Sequence, residues 1–348
     1  DFAKEISETE SIELDEEQYV AYEAICATFL LCLVREGHDS TTQLGKYLKD
    51  TIDDCTVGEI EDVIEELQAR GGNDQLILFL SGPAGAGKTT AVKTAEKFCY
   101  RFCKAVGSLW HDTNFLFTAY TGSAASYSGG ITICKVGYIN KNGDLTLEEK
   151  LQWKYVKILI IDEISFMQDN ELQRLDRRLK ECRDRTKVFG GISIIFSGDF
   201  RQLEPSGAKD SDLLFSRESS GVFEQNLNAV IFLNNVHRFK DDPEYGKMLK
   251  RMWFDDLPTS DRKRINTRVI GKNGITLPAS FNGVDASYAC PTNKERNAIH
   301  ASNFKQHVVR NSPSINSDEN PCEKTCIVYA RISSSNSKRS RVIINRTL

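Results

Sequence analysis

The stretch "GPAGAGKTT", residues 82 to 90, limits what this chain can fold into more than any other. It matches G-x-x-x-x-G-K-[ST] and stands between a short apolar run, "QLILFL", and a segment of helical spacing, "TTAVKTAEKFCYRFCKAV". Glycines there let successive backbone N–H groups curl around phosphate oxygens. Lys88 then reaches the β- and γ-phosphates, and Thr89 offers a hydroxyl to Mg²⁺. A glycine loop can also be a plain tight turn, but strand, loop and helix in this order read as a nucleoside triphosphate site. Gly82, Gly85, Ala86, Gly87, Lys88, Thr89 and Thr90 are its candidate binding residues.

A phosphate loop of this kind belongs to a parallel sheet with helical crossovers, and the chain supplies the other strands. Apolar runs recur at "NFLFTAY", "VKILIID" and "ISIIFSGD", with a weaker one at "AVIFLNN", and helical stretches separate them. None alternates cleanly, which suits burial on both faces. Upstream, residues 14–34 have helical periodicity after an acidic first turn, and 41–69 read as one or two amphipathic helices ending at "GGND". Downstream, "EYGKMLKRMW" reads as a helix, "PTSDRKRINTRVI" as a turn and helix, and "SYACPTNKERNAIHASNF" as a short strand, turn and helix. The tail from 311 is rich in serine and asparagine. The expected division is 1–75 as an N-terminal helical segment, 76–238 as an α/β nucleotide-binding domain, and 239–348 as the start of a second domain.

Two further strand ends bring chemistry to the same crevice. "VKILIIDEISF" ends in Asp162 and Glu163: the first suits Mg²⁺, the second could orient and activate the attacking water. A solvated strand end is the plain alternative. The pair argues for hydrolysis rather than storage of the nucleotide. "GDFRQLEP" carries Gln202 toward the γ-phosphate, where an amide can position water, while Asp199 and Arg201 could couple the site to a neighbouring surface. Taken alone it could be an ordinary polar loop. Arg238, in "FLNNVHRFKDDPEYG", could stabilise transition-state charge or simply pair with Asp241 or Asp242.

Charge and cysteine content narrow the remaining classes. The net charge of −4 over 348 residues argues against coating nucleic acid by bulk charge and leaves a local basic groove open. Ten scattered cysteines read as reduced thiols of an intracellular protein. Cys99 and Cys103, and again Cys322 and Cys326, are spaced by four, with His300 and His307 available; core or surface thiols are the default over a metal site. No apolar run approaches the roughly 20 residues of a membrane span. The chain lacks an initiator methionine, which reads as a start inside a longer protein.

Together these strings resemble the Pif-type (petite integration frequency) DNA helicases of superfamily 1B, and more narrowly the helicase region associated with Helitron-type transposases. "LDEEQ" with Gln18 resembles the family's Q motif, "GGNDQLILFLSGPAGAGKTT" its lead-in and Walker A, and "TAYTGSAASYSGGITI" its motif Ia and the strand-contacting segment after it. "IIDEISFM" resembles the Walker B, "GDFRQLEP" motif III, and "NNVHRFKDDPEYGKMLKRM" with "PTSDRKRINTRVI" the segment around motif IV. The likeness runs from about 14 to 305. Cys134, Glu204, Trp253 and His300 depart from the family's usual residues, and no string after residue 300 resembles motifs V and VI. The chain is therefore expected to be a fragment or a truncated relative.

The resemblance implies a RecA-like P-loop NTPase domain followed by part of a second, hydrolysing ATP with Mg²⁺ to move 5′-to-3′ on single-stranded DNA and separate duplex. It implies that Gln18 reads adenine, that Lys88, Glu163, Gln202 and Arg238 carry catalysis, and that Thr89 and Asp162 hold the metal. Thr121 and Thr132, and in the second domain Lys294 and Arg296, are the implied DNA contacts; the last two could equally be solvated helix charges. Tyr120 and Tyr127 could stack on bases or sit in a core. Implied partners are single-stranded DNA and duplex junctions, without a membrane, bound by a monomer. For a eukaryotic chain the nucleus is the expected compartment, with the mitochondrion as alternative. Two other readings stay open: a relative that binds ATP and DNA without unwinding, and an ATPase indifferent to nucleic acid.

Overall fold

The apolar runs form strands that are buried on both faces, and this sets the architecture. In the computed structural model, which describes residues 13–38, 65, 69, 75–105, 107–235, 237–239, 241–270, 276 and 288–311, six strands make one parallel sheet. They are β1 (Ile77–Ser81), β2 (Phe115–Ala119), β3 (Ile131–Thr132), β4 (Ile158–Asp162), β5 (Ser193–Gly198) and β6 (Ala229–Phe232), in the order β3-β2-β4-β5-β1-β6. Every pairing is parallel: Ile77 lies opposite Ile194, and Phe117 opposite Ile160. All five residues of β1 and all six of β5 are buried, so the non-alternating pattern is the signature of the sheet's centre. The exception is β6, an edge strand with Val230 and Phe232 about half exposed while Ala229 and Ile231 pack inward. The expectation of burial on both faces fails there because only one face of that edge is covered.

Helices cover the two faces separately. On one lie α1 (Glu16–His38) and α2 (Lys88–Ala105), where Tyr22, Ile25 and Phe29 meet Val92, Phe98 and Cys99 over Leu78, Leu80 and Ile195. Cys99 and Cys103 belong to this buried packing, and neither forms a disulfide. Next in the chain come the short helices α3 (Gly122–Ser128), α4 (Ile133–Val136) and α5 (Leu147–Leu151). Then α6 (Asp169–Cys182) buries Leu172, Leu175 and Leu179 on the opposite face, beside α7 (Val222–Asn226). Phe79, Phe196, Phe200, Phe215 and Phe223 interlock there with ring centroids 4.6–6.0 Å apart. Each fully buried side chain of this size contributes about 1.5–3 kcal/mol by leaving water.

The chain then forms α8 (Pro243–Trp253), capped by Asp242, whose carboxylate accepts the Tyr245 N–H at 3.0 Å. The division between compact units falls between Pro258 and Thr259, later than the expected boundary at 239, because α8 packs with the first unit. The second unit, taken by itself, contains α9 (Thr259–Asn266) and α10 (Asn293–Asn311). Of the short strand expected around "SYAC", Tyr288–Cys290 carry no regular structure. The helices expected in 41–69 lie outside the described residues except Glu65 and Ala69, which are helical. Cys322 and Cys326 also lie outside. Among the described residues no helix is long and apolar enough to cross a membrane.

Candidate functional site

The carboxyl ends of β1, β4 and β5 surround a cavity of about 880 Å³. Gly85, Gly87, Lys88, Thr89 and Thr90 line it from the loop after β1, and Asp162 and Glu163 from the end of β4. Gly198, Asp199 and Gln202 line it from β5 and the turn beyond, with Arg238 and Thr121 at its walls. Residues from five separate stretches thus converge on one space.

Inside the loop, the Lys88 ammonium donates to the carbonyl oxygens of Gly82 at 2.6 Å and Pro83 at 3.3 Å. Burial pulls its pKa below the usual lysine value, opposed by the carboxylates of Asp162, Asp199 and Glu163. A cation set among three carboxylates is placed to take phosphate oxygens when a nucleotide enters. Asp162 is held firmly: its Oδ1 accepts the Ser197 hydroxyl at 2.7 Å and the Glu163 N–H at 3.1 Å. Glu163 adopts a left-handed backbone (φ 56°, ψ 44°), which costs a non-glycine residue about 1–2 kcal/mol. Burial, and then the Asp162 charge, push its carboxyl above the ordinary glutamate value, the direction that favours taking up a proton.

Asp199 is only 2% exposed and takes three donors. Its Oδ1 accepts the Arg201 N–H at 3.0 Å; its Oδ2 accepts the Gln202 amide at 3.1 Å and the Trp253 indole N–H at 2.8 Å. The Arg201 guanidinium in turn lies 4.2 Å over the Trp253 ring and 5.2 Å over Phe254, and donates to the Trp253 carbonyl at 2.7 Å. The turn "GDFRQ" therefore links the cavity to the end of α8. Trp253 stood out in the sequence only as a departure from a familiar pattern, and Ser197 not at all.

The glycines have a second reason besides phosphate. A Cβ on Gly82 would stand 2.5 Å from the Leu233 carbonyl oxygen, one on Gly85 2.5 Å from Arg238 Cβ, and one on Gly87 would collide with the Gln18 amide. Leu233, Asn234, Asn235, His237 and Arg238 cross the loop like a strap, with the His237 N–H donating to Gly85 O at 2.9 Å. Asp15 and Glu17 tie it down. Asn234 donates from its backbone and amide to Glu17 at 2.5 and 2.7 Å, and Asn235 and His237 reach Asp15 at 3.2 and 2.9 Å.

Gln18 does not line the cavity. It is 3% exposed, donates to Ala86 O at 3.0 Å, and accepts the Asp15 N–H at 3.1 Å while Asp15 accepts its own N–H at 2.8 Å. That reciprocal pair is a capping box at the start of α1, so the amide braces the loop from behind. Gly82 and Ala86 likewise serve through backbone carbonyls, to Lys88 and Gln18.

The remaining candidates scatter. Thr121 caps α3, accepting the Ala124 N–H at 3.3 Å at the cavity edge. Thr132 precedes α4 without a side-chain cap and does not line the cavity. Tyr120 is half-buried, donates to Glu171 at 3.2 Å, and burial with that carboxylate pushes its pKa to about 12. Tyr127 is 90% exposed at the cavity mouth, which rules out a core role. In the second unit Lys294 and Arg296 are exposed on α10, and Arg296 donates to Asn297 at 3.1 Å.

Among the described residues no three His, Cys, Asp or Glu side chains gather as a metal cage. One carboxylate and one hydroxyl, Asp162 and Thr89, fit Mg²⁺ of the kind completed by water and substrate phosphates.

The family described as PIF1-like helicase matches residues 58–254. The chain is 34% identical over 178 residues to the ATP-dependent DNA helicase RRM3 of Saccharomyces cerevisiae, covering 47% of this chain and 23% of that protein. It is 31% identical over 236 residues to the ATP-dependent DNA helicase PIF1 of Saccharomyces cerevisiae, covering 65% and 26%. The crystal structure of Pif1 helicase from Candida albicans superimposes with a TM-score of 0.50 at 22% identity, over 71% of this chain and 53% of that one, a likeness of fold. The chain spans about a quarter of the length of these curated relatives.

Proposed function

The chain belongs to the PIF1-like helicase family, and on that premise we propose that it hydrolyses ATP in the cavity above Lys88 to move 5′-to-3′ along single-stranded DNA and separate duplex at junctions. The observation that carries this reading is convergence: Lys88, Thr89, Asp162, Glu163, Gln202 and Arg238 line one cavity, although the sequence spreads them over 151 positions, from 88 to 238.

In this reading Thr89 and Asp162 would hold Mg²⁺, which would supply charge neutralisation to the phosphates. Lys88 exchanges its two loop carbonyls for β- and γ-oxygens. Glu163, whose raised basicity supports the role, takes a proton from the attacking water, and Gln202 orients that water. Arg238 stabilises the charge that spreads over the transferred group. Gln202 shares Asp199 with Trp253, so loss of the γ-phosphate is felt at the end of α8. Thr121 and Thr132 in the first unit, and Lys294 and Arg296 in the second, are the proposed strand contacts. We assign the protein as a monomer acting where DNA is kept, in the nucleus or the mitochondrion.

The test is ATP hydrolysis with and without single-stranded DNA. Stimulation by DNA supports the motor; turnover indifferent to DNA sinks it. Nucleotide and DNA binding without strand separation would move the chain to a binding role.

A further inference from the structure

A second concave surface lies on α6 and the loop before α5, and it shares no lining residue with the nucleotide cavity. Its volume is about 520 Å³, and Lys141, Arg174, Arg177 and Arg178 surround it with the amides of Asn140 and Asn142. Arg177 continues into an adjoining hollow with Lys150, Lys180 and Arg185. Seven cations thus face two carboxylates, Asp144 and Glu181, in a chain whose net charge is −4.

Of the carboxylates nearby, Glu149, Glu181 and Asp176 are already engaged. Glu149 pairs with Lys141 at 2.5 Å, Glu181 with Lys150 and Arg178 at 3.1 Å each, and Asp176 with Lys180 at 2.7 Å. Among the described residues no carboxylate pairs with Arg174, Arg177 or Arg185. The frame around them is rigid. Arg178 also donates to the Lys141 carbonyl at 2.6 Å, Glu181 accepts the Leu145 N–H at 3.1 Å, and Leu172, Leu175 and Leu179 anchor the other side of the helix. Arg174 and Arg177 are held one turn apart and exposed, with Cβ atoms of such a pair about 5–6 Å apart.

We propose that this face binds the phosphodiester backbone of a nucleic acid strand, as a second site beyond the proposed translocation machinery. Guanidinium forks match phosphate oxygens in geometry and charge, and they stay charged at any working pH. A protein partner would need an apolar centre to bury. The only apolar lining residue, Ile139, is 3% exposed and offers none.

The test uses the full chain. Arg174→Glu/Arg177→Glu is titrated against a fluorescent single-stranded oligothymidylate and a forked duplex over a salt series, beside a matched charge change at exposed positions elsewhere, Lys104→Glu/Arg217→Glu. The expected result is at least a tenfold loss of affinity at low salt, with the slope of log K against log salt reduced by about 1.4 for the single strand, roughly 0.7 per phosphate lost. Arg174→Lys/Arg177→Lys should keep most of that slope, and DNA-free ATP hydrolysis should not change in any variant. Unaltered binding and slope, or an equal loss in the matched control, would overturn the proposal. So would full competition by inorganic phosphate at the oligonucleotide's own phosphate concentration, which would mark a small-anion site. Because the readout is DNA binding without turnover, its failure is distinct from failure of the ATPase.

Discussion

Two sets of residues meet at the phosphate loop, and they reach it in different ways. Lys88, Thr89, Asp162 and Glu163 each sit inside a short string whose chemistry is complete locally: strand, turn, functional group. The strap residues Leu233, Asn234, Asn235, His237 and Arg238, and their anchor, Asp15, Glu17 and Gln18, hold the same loop from behind, strap and anchor bonded across 217 to 222 positions. The first set lines the cavity; the second decides how closely the backbone of the loop may be wrapped. Glycines 82, 85 and 87 serve both masters, since each would clash with the strap or with Gln18 if it carried a Cβ. A glycine-rich phosphate loop is therefore a packing requirement as well as a binding one.

The sharpest way to separate the two sets is to remove one member of each. Lys88→Ala should lower ATP turnover by about 10²–10³-fold or more, the scale for losing a preorganised charge partner, while shifting stability by less than about 1 kcal/mol. Phosphate release and thermal unfolding on the same sample measure both; near-normal hydrolysis would remove the central claim. Gln18→Ala should do the reverse. It strips the Ala86 carbonyl of its donor and opens the capping box, so it should cost about 1–3 kcal/mol of stability. Its effect on nucleotide affinity should be alike for ATP and GTP, by calorimetry. A loss confined to ATP would restore the reading of Gln18 as the residue that recognises adenine.

An intermediate case is Trp253, which belongs to neither set but links Asp199 at the cavity wall to the end of α8. Trp253→Phe keeps the ring under Arg201 and removes only the indole donor to Asp199. The expected outcome is a loss of about 1 kcal/mol and a severalfold fall in DNA-stimulated turnover, with nucleotide affinity retained. Equal falls in basal and stimulated rates would mean that Trp253 merely supports the fold.

The same contrast explains what could be read in the chain. The four strong apolar runs and the phosphate loop were legible because periodicity and motif are properties of neighbours along the chain. The edge strand β6 was weak to read because it is half exposed, and its inward residues follow from packing against helices. The domain boundary expected at 239 missed α8's place in the first unit, since the contacts that hold it there, Trp253 to Asp199 and Arg201, have no local signature. Gln18 was picked out by resemblance, but its position behind the loop depends on an amide bonded 68 residues away. Ser197 could have been suspected as a polar residue inside an otherwise apolar strand beside Asp162.

The smallest expected effect tests the anchor alone. Burial by itself would raise the Asp15 carboxyl, but hydrogen bonds from the Gln18 N–H, His237 and Asn235 outweigh it and hold the pKa below the ordinary aspartate value. A carboxylate depressed on folding contributes stability that is complete above its unfolded pKa, about 3.9, and lost as pH falls through the lower folded value. Asp15→Asn should therefore lower the melting temperature at neutral pH by an amount corresponding to less than about 1 kcal/mol, since the side chain is partly exposed. The gap between wild type and variant should stay constant down to about pH 4 and close only in the more acid window. A gap that already closes well above pH 4 would show that the Asp15 carboxylate is not the group that holds the strap.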